Sequence, residues 1–188
     1  VVPAPEESST KRLYSLASAP TQAKEEGYEL CVRLHEGGLA SEYIRALEKG
    51  SEIEIFGPYG DFVFQPPRDR NVCFIANGTG VAPVRSILQS KKFENERPDK
   101  VECLLGFRSE AEVLYANEWE KFGVNLKIIV KEHVTEYFAK LHSAMTGLLE
   151  TDFYLVGSPS LVSDMTELLK RLGVREPAIH RELFSAKK

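Results

Sequence analysis

From residue 71 onward, short apolar runs alternate with segments of helical spacing, and this alternation restricts the fold more than any other feature of the chain. Val72 to Ala76 (VCFIA) is a continuous apolar run, and a helix is predicted over Pro83 to Gln89, with Pro83 suited to its first turn. Val101 to Phe107 (VECLLGF), Asn125 to Val130 (NLKIIV) and Phe153 to Val156 (FYLV) are the next predicted strands, with a polar, aromatic helix expected around Trp119. Ser158-Pro159-Ser160 opens a helix that places Val162, Met165, Leu168, Leu169 and Leu172 on one face, and Gly173 is its natural stop. Strands alternating with helices imply a doubly wound parallel sheet. Asn77-Gly78-Thr79-Gly80-Val81-Ala82-Pro83 falls between the first strand and the first helix. Amides at a helix start face outward, and glycines let a phosphate approach the backbone. Ligands of α/β sheets bind at this end of the strands. The segment lacks the full G-x-G-x-x-G pattern, and a plain turn is its simpler reading.

Residues 1–68 have a different rhythm. Gly27 to Leu34 (GYELCVRL) alternates Tyr28, Leu30, Val32 and Leu34, and Glu52 to Phe56 (EIEIF) alternates again, the period of half-buried strands. Between them Leu39, Tyr43, Ile44 and Leu47 have helical spacing, with Gly50 as the stop. Gly57-Pro58-Tyr59-Gly60-Asp61-Phe62 has the composition of a tight turn. The proline-broken stretch from Gln65 to Arg70 is the expected linker, so two domains are expected, 1–68 and 69–188.

Two further segments carry chemistry-bearing residues. In Arg12-Leu13-Tyr14-Ser15 an extended backbone puts Arg12 and Tyr14 on one face, and the planar arginine fork suits phosphate. Gly37-Gly38-Leu39-Ala40-Ser41 stands at a helix start, a second potential phosphate cradle. Each also has an ordinary structural reading, as an exposed strand and as a helix start made of small residues.

Composition removes other classes. Among 188 residues, 24 Lys and Arg face 28 Asp and Glu, a net charge of −4, so nothing points to nucleic acid. No apolar run approaches the ~18 residues of a membrane span, so no membrane insertion is expected. Cys31, Cys73 and Cys103 are too few for an iron–sulfur cluster held by cysteines and odd for a disulfide framework, which suggests a cytoplasmic setting. His35, His133, His142 and His180 show no metal-ligand spacing.

Taken in order, the segments RLYS, GLAS, GPYGDF, GTGVAP, FYLVGSPSLV and the ending IHRELF closely resemble the ferredoxin–NADP reductase superfamily of FAD-dependent oxidoreductases, over roughly Lys11 to Phe184. The resemblance implies a partial antiparallel β-barrel FAD-binding domain followed by the parallel-sheet NAD(P)-binding domain. It implies that Arg12 neutralises the flavin diphosphate, that Tyr14 lies against the isoalloxazine and that the Ser15 hydroxyl faces flavin N5. Gly38, Leu39, Ala40 and Ser41 would contact the FAD diphosphate, and Gly78, Thr79 and Gly80 the nicotinamide dinucleotide. Gly157 and Pro159 would shape the nicotinamide pocket, with Glu182 and Phe184 near the reactive face. Tyr14, Ser15 and Glu182 are thus the expected catalytic residues. The implied chemistry is hydride transfer from NAD(P)H to FAD, then single electrons to a ferredoxin, a flavodoxin or an oxygenase component.

Arg108 and Lys131 follow two of the strands, where family members often hold cations for the 2′-phosphate, and this favours NADP, with NAD possible. Val156 stands where the family usually has Cys, which predicts looser nicotinamide positioning and a faster Val156→Cys variant. Lys170, Arg171, Arg175, Arg181, Lys187 and Lys188 form a basic tail that is either a docking patch for an acidic carrier or a solvated face. Only eleven residues precede Arg12, so further N-terminal barrel strands are expected, and Lys131 to Val134 is short for the corresponding family loop. The competing readings are a reductase portion of a larger chain and a nucleotide-binding module without turnover.

Overall fold

The structure, a computed structural model, describes residues 11–65 and 70–184. The expected linker therefore lies partly outside the described residues, as do Lys187 and Lys188. In chain order the elements are α1 (Pro20–Glu25), α2 (Leu39–Ala46), β1 (Asn71–Asn77), α3 (Val81–Leu88), α4 (Lys91–Asn95), β2 (Val101–Phe107), β3 (Asn125–Val130), α5 (Val134–Leu141), β4 (Thr151–Gly157), α6 (Pro159–Arg171) and β5 (Ile179–Leu183).

All five strands pair in parallel, in the order β3-β2-β1-β4-β5. The chain winds outward from β1 to β3 and returns to the other side of β1. The switch point therefore lies between β1 and β4, where a crevice opens beyond the carboxyl ends of both strands. Each central strand is apolar on both faces because helices cover both. Val72, Phe74 and Ala76 of β1 join Tyr154 and Val156 of β4 in one core, with Phe93 and Trp119. Cys73 and Ile75 join Phe153 and Leu155 in the other, with Phe138, Met165 and Leu169. Each fully buried side chain of this size contributes about 1.5–3 kcal/mol.

Helix ends follow local chemistry. The Ser158 Oγ accepts the Leu161 amide, Pro159 opens the first turn of α6, and Gly173 adopts φ +89° after its last turn. Trp119 is fully buried and its indole N–H donates to the Leu114 carbonyl at 2.7 Å, but it heads a short 3-10 turn (Trp119–Phe122) and not a longer helix. The sequence pattern missed α1, α4, α5 and β5. Of these, α1 and α4 span only six and five residues, too short for helical periodicity to stand out.

Residues 11–65 differ most from expectation. Gly27 to Leu34 and Glu52 to Phe56 form no ladder strand, and the one bridge among the described residues is antiparallel, Leu16 with Leu30, where the Ala17 amide donates to the Glu29 carbonyl at 2.8 Å. A period of two identifies a face that could be buried, but a ladder also needs a neighbouring backbone ~4.8 Å away. Tyr28 and Leu34, expected to face inward, are 59% and 42% exposed. The basic tail is also partly neutralised, since Lys170 and Arg181 both pair with Glu176.

Candidate active site

A cleft of about 2510 Å³ runs between residues 11–65 and the carboxyl edge of the sheet. Pockets for a single small ligand hold roughly 300–1,000 Å³, so this cleft exceeds what one small ligand needs. Its floor is the β1–α3 turn. Gly78 takes φ +53°, a 3-10 turn covers Gly78–Gly80, and α3 follows directly, a helix start of the kind whose first amides lack partners within the helix and suit an anion. A Cβ on Gly78 would stand 3.3 Å from an Arg33 guanidinium nitrogen.

Gly78 and Thr79 line the cleft and Gly80 does not. Gly80 is buried against β4, where a Cβ would stand 2.7 Å from the Val156 carbonyl oxygen. The expected contact of Gly80 with the dinucleotide is thus corrected: its lack of a side chain lets the turn seat on β4. Gly157, at φ +140°, lines the cleft, and a Cβ there would overlap the Asn77 carboxamide. That carboxamide accepts the Ser158 amide at 2.9 Å and donates to the Ser158 Oγ at 3.0 Å, which joins the ends of β1 and β4. Pro159 is also corrected: it is exposed at the first turn of α6 and is not a wall of the cleft. Val156 is fully buried in the core.

The opposite wall is the Arg12-Leu13-Tyr14-Ser15 segment. Ser15 Oγ donates to Glu182 Oε1 at 2.9 Å, joining residues 167 positions apart at the cleft. Burial pushes the Glu182 carboxyl above its ordinary value, and the Ser15 bond offsets part of that rise. Burial likewise raises the Tyr14 phenol, with Arg12 opposing it. Arg12 has no carboxylate partner among the described residues. Phe184 lines the same end, and its amide donates to the Gly157 carbonyl at 2.7 Å.

Gly38, Leu39, Ala40 and Ser41 form a further wall at the start of α2. Ser41 is buried, and its Oγ accepts the His35 amide at 2.8 Å, which leaves its hydroxyl proton free to donate. A Cβ on Gly38 would stand 3.1 Å from this Oγ, so a side chain would crowd the cradle. Arg108 and Lys131 both line the cleft and are exposed, and Lys131 takes a positive φ of 62°. The sequence pattern missed Arg33, which pairs with Glu112 at 3.3 Å across the cleft, and the joining role of Asn77. Arg33 sits within an alternating segment that gives it no signal of its own. The cradle at Gly78, the crowded start of α2 and the cation lining together suit two phosphate-bearing cofactors.

The oxidoreductase FAD-binding domain family matches residues 2–64, and the oxidoreductase NAD-binding domain family matches residues 74–128. The chain is 30% identical to ferredoxin–NADP reductase B of Sorangium cellulosum, over 93% of this chain and 78% of that protein. It is 29% identical to one component of the Na(+)-translocating NADH-quinone reductase of Yersinia pestis, over 78% of this chain, and spans only 40% of that relative. The crystal structure of the flavohem-like FAD/NAD-binding domain of nitric oxide dioxygenase from Vibrio cholerae superposes with a TM-score of 0.79 at 25% identity, covering 98% of this chain and 82% of that one. The cleft between a flavin-motif wall and a dinucleotide cradle, the paired domain matches and the Sorangium relative lead to one conclusion: the chain belongs to the ferredoxin–NADP reductase superfamily of FAD- and NAD(P)H-dependent oxidoreductases.

Proposed function

We propose that this chain takes a hydride from NADPH onto FAD and passes single electrons to a separate one-electron acceptor, a ferredoxin, a flavodoxin or an oxygenase component. The observation that carries the proposal is the Ser15–Glu182 hydrogen bond, which closes the cleft at the point where the flavin motif meets the C-terminal IHRELF motif. When bound, FAD supplies the change from two-electron to one-electron transfer, and the protein supplies orientation and electrostatics.

In this reading Arg12 neutralises the flavin diphosphate, and the amides and hydroxyl from Gly38 to Ser41 hold its oxygens. Tyr14 supports the face of the isoalloxazine. Gly78 and Thr79 present amides to the nicotinamide dinucleotide, with Arg33 as an added cation. Glu182 accepts the Ser15 hydroxyl, and burial raises its carboxyl above the ordinary value, so the pair fixes a carboxyl group at the end of the cleft where β5 meets the flavin motif. Phe184, tied to Gly157, excludes water from that end.

Arg108 and Lys131 favour a 2′-phosphate and hence NADPH over NADH. The division at residues 68 and 69 is supported by where the two family matches fall. A second reading, the reductase portion of a larger electron-transfer chain, is favoured by the 40% span of the quinone reductase component. The test is reduction of the FAD-loaded protein by NADPH, followed by a panel of ferredoxins and flavodoxins as acceptors. A colourless protein that binds nucleotide without turnover would refute the proposal. Turnover with NADH matching that with NADPH would refute the coenzyme preference.

A further inference from the structure

Arg85 lies four residues into α3 and its side chain is only 6% exposed. Its Nη1 donates to the Ala17 carbonyl and to Glu29 Oε2, each at 2.8 Å, and its Nε donates to Glu118 Oε2 at 2.8 Å. The guanidinium carbon stands 4.4 Å from the centre of the Tyr115 ring, and the Tyr115 hydroxyl donates to the other oxygen of Glu29 at 3.1 Å. The next residue repeats the connection, since Ser86 Oγ donates to the Ser18 carbonyl at 2.8 Å.

The placement of these bonds matters more than their number. Ala17 and Ser18 follow Tyr14-Ser15 along one extended segment, about 7 Å of chain further on. Arg85 follows Gly78-Thr79-Gly80 along one helix, about 6 Å beyond its start. One buried side chain therefore ties the flavin-motif wall to the element that presents the dinucleotide cradle. Arginine suits the role because its rigid fork bonds three acceptors in one plane, which a lysine ammonium on a flexible stem cannot reproduce.

We infer that Arg85 is a positioning residue that sets the separation between the Tyr14–Ser15 wall and the Gly78–Thr79 cradle, and with it the approach of nicotinamide to flavin. The inference rests on the reading of the cleft as the site of hydride transfer. That step moves two electrons and one proton as hydride from the dihydronicotinamide ring to FAD, and its rate depends steeply on the approach of the reacting atoms.

The experiment compares FAD-loaded parent, Arg85→Lys and Ser86→Ala by stopped flow with NADPH. The expected result is a limiting rate of hydride transfer about tenfold lower in Arg85→Lys and severalfold lower in Ser86→Ala, since sub-ångström displacements already act at this scale. The dissociation constant for NADPH stays within about twofold, and the nicotinamide–flavin charge-transfer band weakens in step with the rate. Hydrogen exchange on the FAD-free proteins gives an independent readout, with the Ala17 amide faster in both variants. A clamp that serves stability alone would lower the melting temperature and leave the folded enzyme's rate and band at parental values, and that result would overturn the inference. If Arg85→Lys does not fold, Ser86→Ala decides by the same criteria. A parent that NADPH does not reduce would count against the proposed function, and the exchange of the Ala17 amide would still test the clamp.

Discussion

Replacing Gly80 by alanine isolates the contact on which the Gly78–Thr79 turn, the proposed dinucleotide cradle, rests. Gly80 has φ −60° and ψ −14°, a conformation open to any residue, so backbone strain plays no part. The added Cβ would stand 2.7 Å from the Val156 carbonyl oxygen, 2.9 Å from the Gly157 Cα and 3.0 Å from the Val156 carbonyl carbon. All three are backbone atoms of β4 and cannot rotate aside. Relief requires the β1–α3 turn and the end of β4 to part by about 0.7 Å, the distance to the 3.4 Å at which ordinary contact begins. Overpacking of this kind costs about 1–3 kcal/mol, and alanine's better helix propensity returns less than ~1 kcal/mol at a helix start. At about 2–4 °C per kcal/mol for a chain of this size, that overpacking cost lowers the melting temperature by roughly 2–12 °C. A displacement near 1 Å can cost about a hundredfold in rate, so hydride transfer should fall by about ten- to a hundredfold, while FAD affinity, which the proposed contacts at α2 and Arg12 would set, stays at the parental value. Thermal unfolding by circular dichroism, stopped-flow reduction by NADPH and FAD titration measure the three quantities. Unchanged melting temperature and unchanged hydride transfer would refute the contention that the cradle is seated directly on β4.

Burial raises the Glu182 pKa, so the folded chain binds that proton more tightly than the unfolded one, and the stability this carries is whole below the ordinary value of 4.5 and is lost as pH rises through the raised value. Glu182→Gln should therefore gain melting temperature on the parent at about pH 8 and not at about pH 4; a constant difference would reject the raised pKa. Asn77→Ala leaves the Ser158 amide without its side-chain acceptor and should cost about 1 kcal/mol in urea unfolding, whereas an unaltered midpoint would show that the joint between β1 and β4 is redundant. Arg108→Ala and Lys131→Ala should each lower kcat/KM for NADPH severalfold while sparing NADH, and an unchanged NADPH/NADH ratio in both would remove these residues from 2′-phosphate recognition.

Local pattern carried a large part of the nucleotide half. β2 and β3 have the bounds that the apolar runs predict, and β1 and β4 extend them by one or two residues at each end. Ser158 caps α6 and Gly173 follows it because capping and left-handed turns depend on a few consecutive residues. The sequence also placed the Gly78 turn between strand and helix, and fourteen of the sixteen expected site residues line one cleft, with Gly80 and Pro159 the exceptions. The failures have a common cause. β5 carries an ordinary mixed pattern, and its strand character comes from pairing with β4. Gly27 to Leu34 has a clear alternation and forms no ladder, because pairing needs a partner that periodicity cannot supply.

Taken alone, the sequence determined that β1 to β4 are buried apolar strands, where α6 begins and ends, and which six motifs occur in register. Each of these depends on residues within a turn or a strand of one another. Tertiary structure alone decided that the sheet order brings the ends of β1 and β4 side by side and that Ser15 meets Glu182. It also decided that Arg33 approaches Gly78 and that Arg85 ties the Tyr14–Ser15 wall to the cradle. These contacts join residues far apart in the chain, and their geometry follows from strand order, register and packing, none of which is written in the spacing of any one segment.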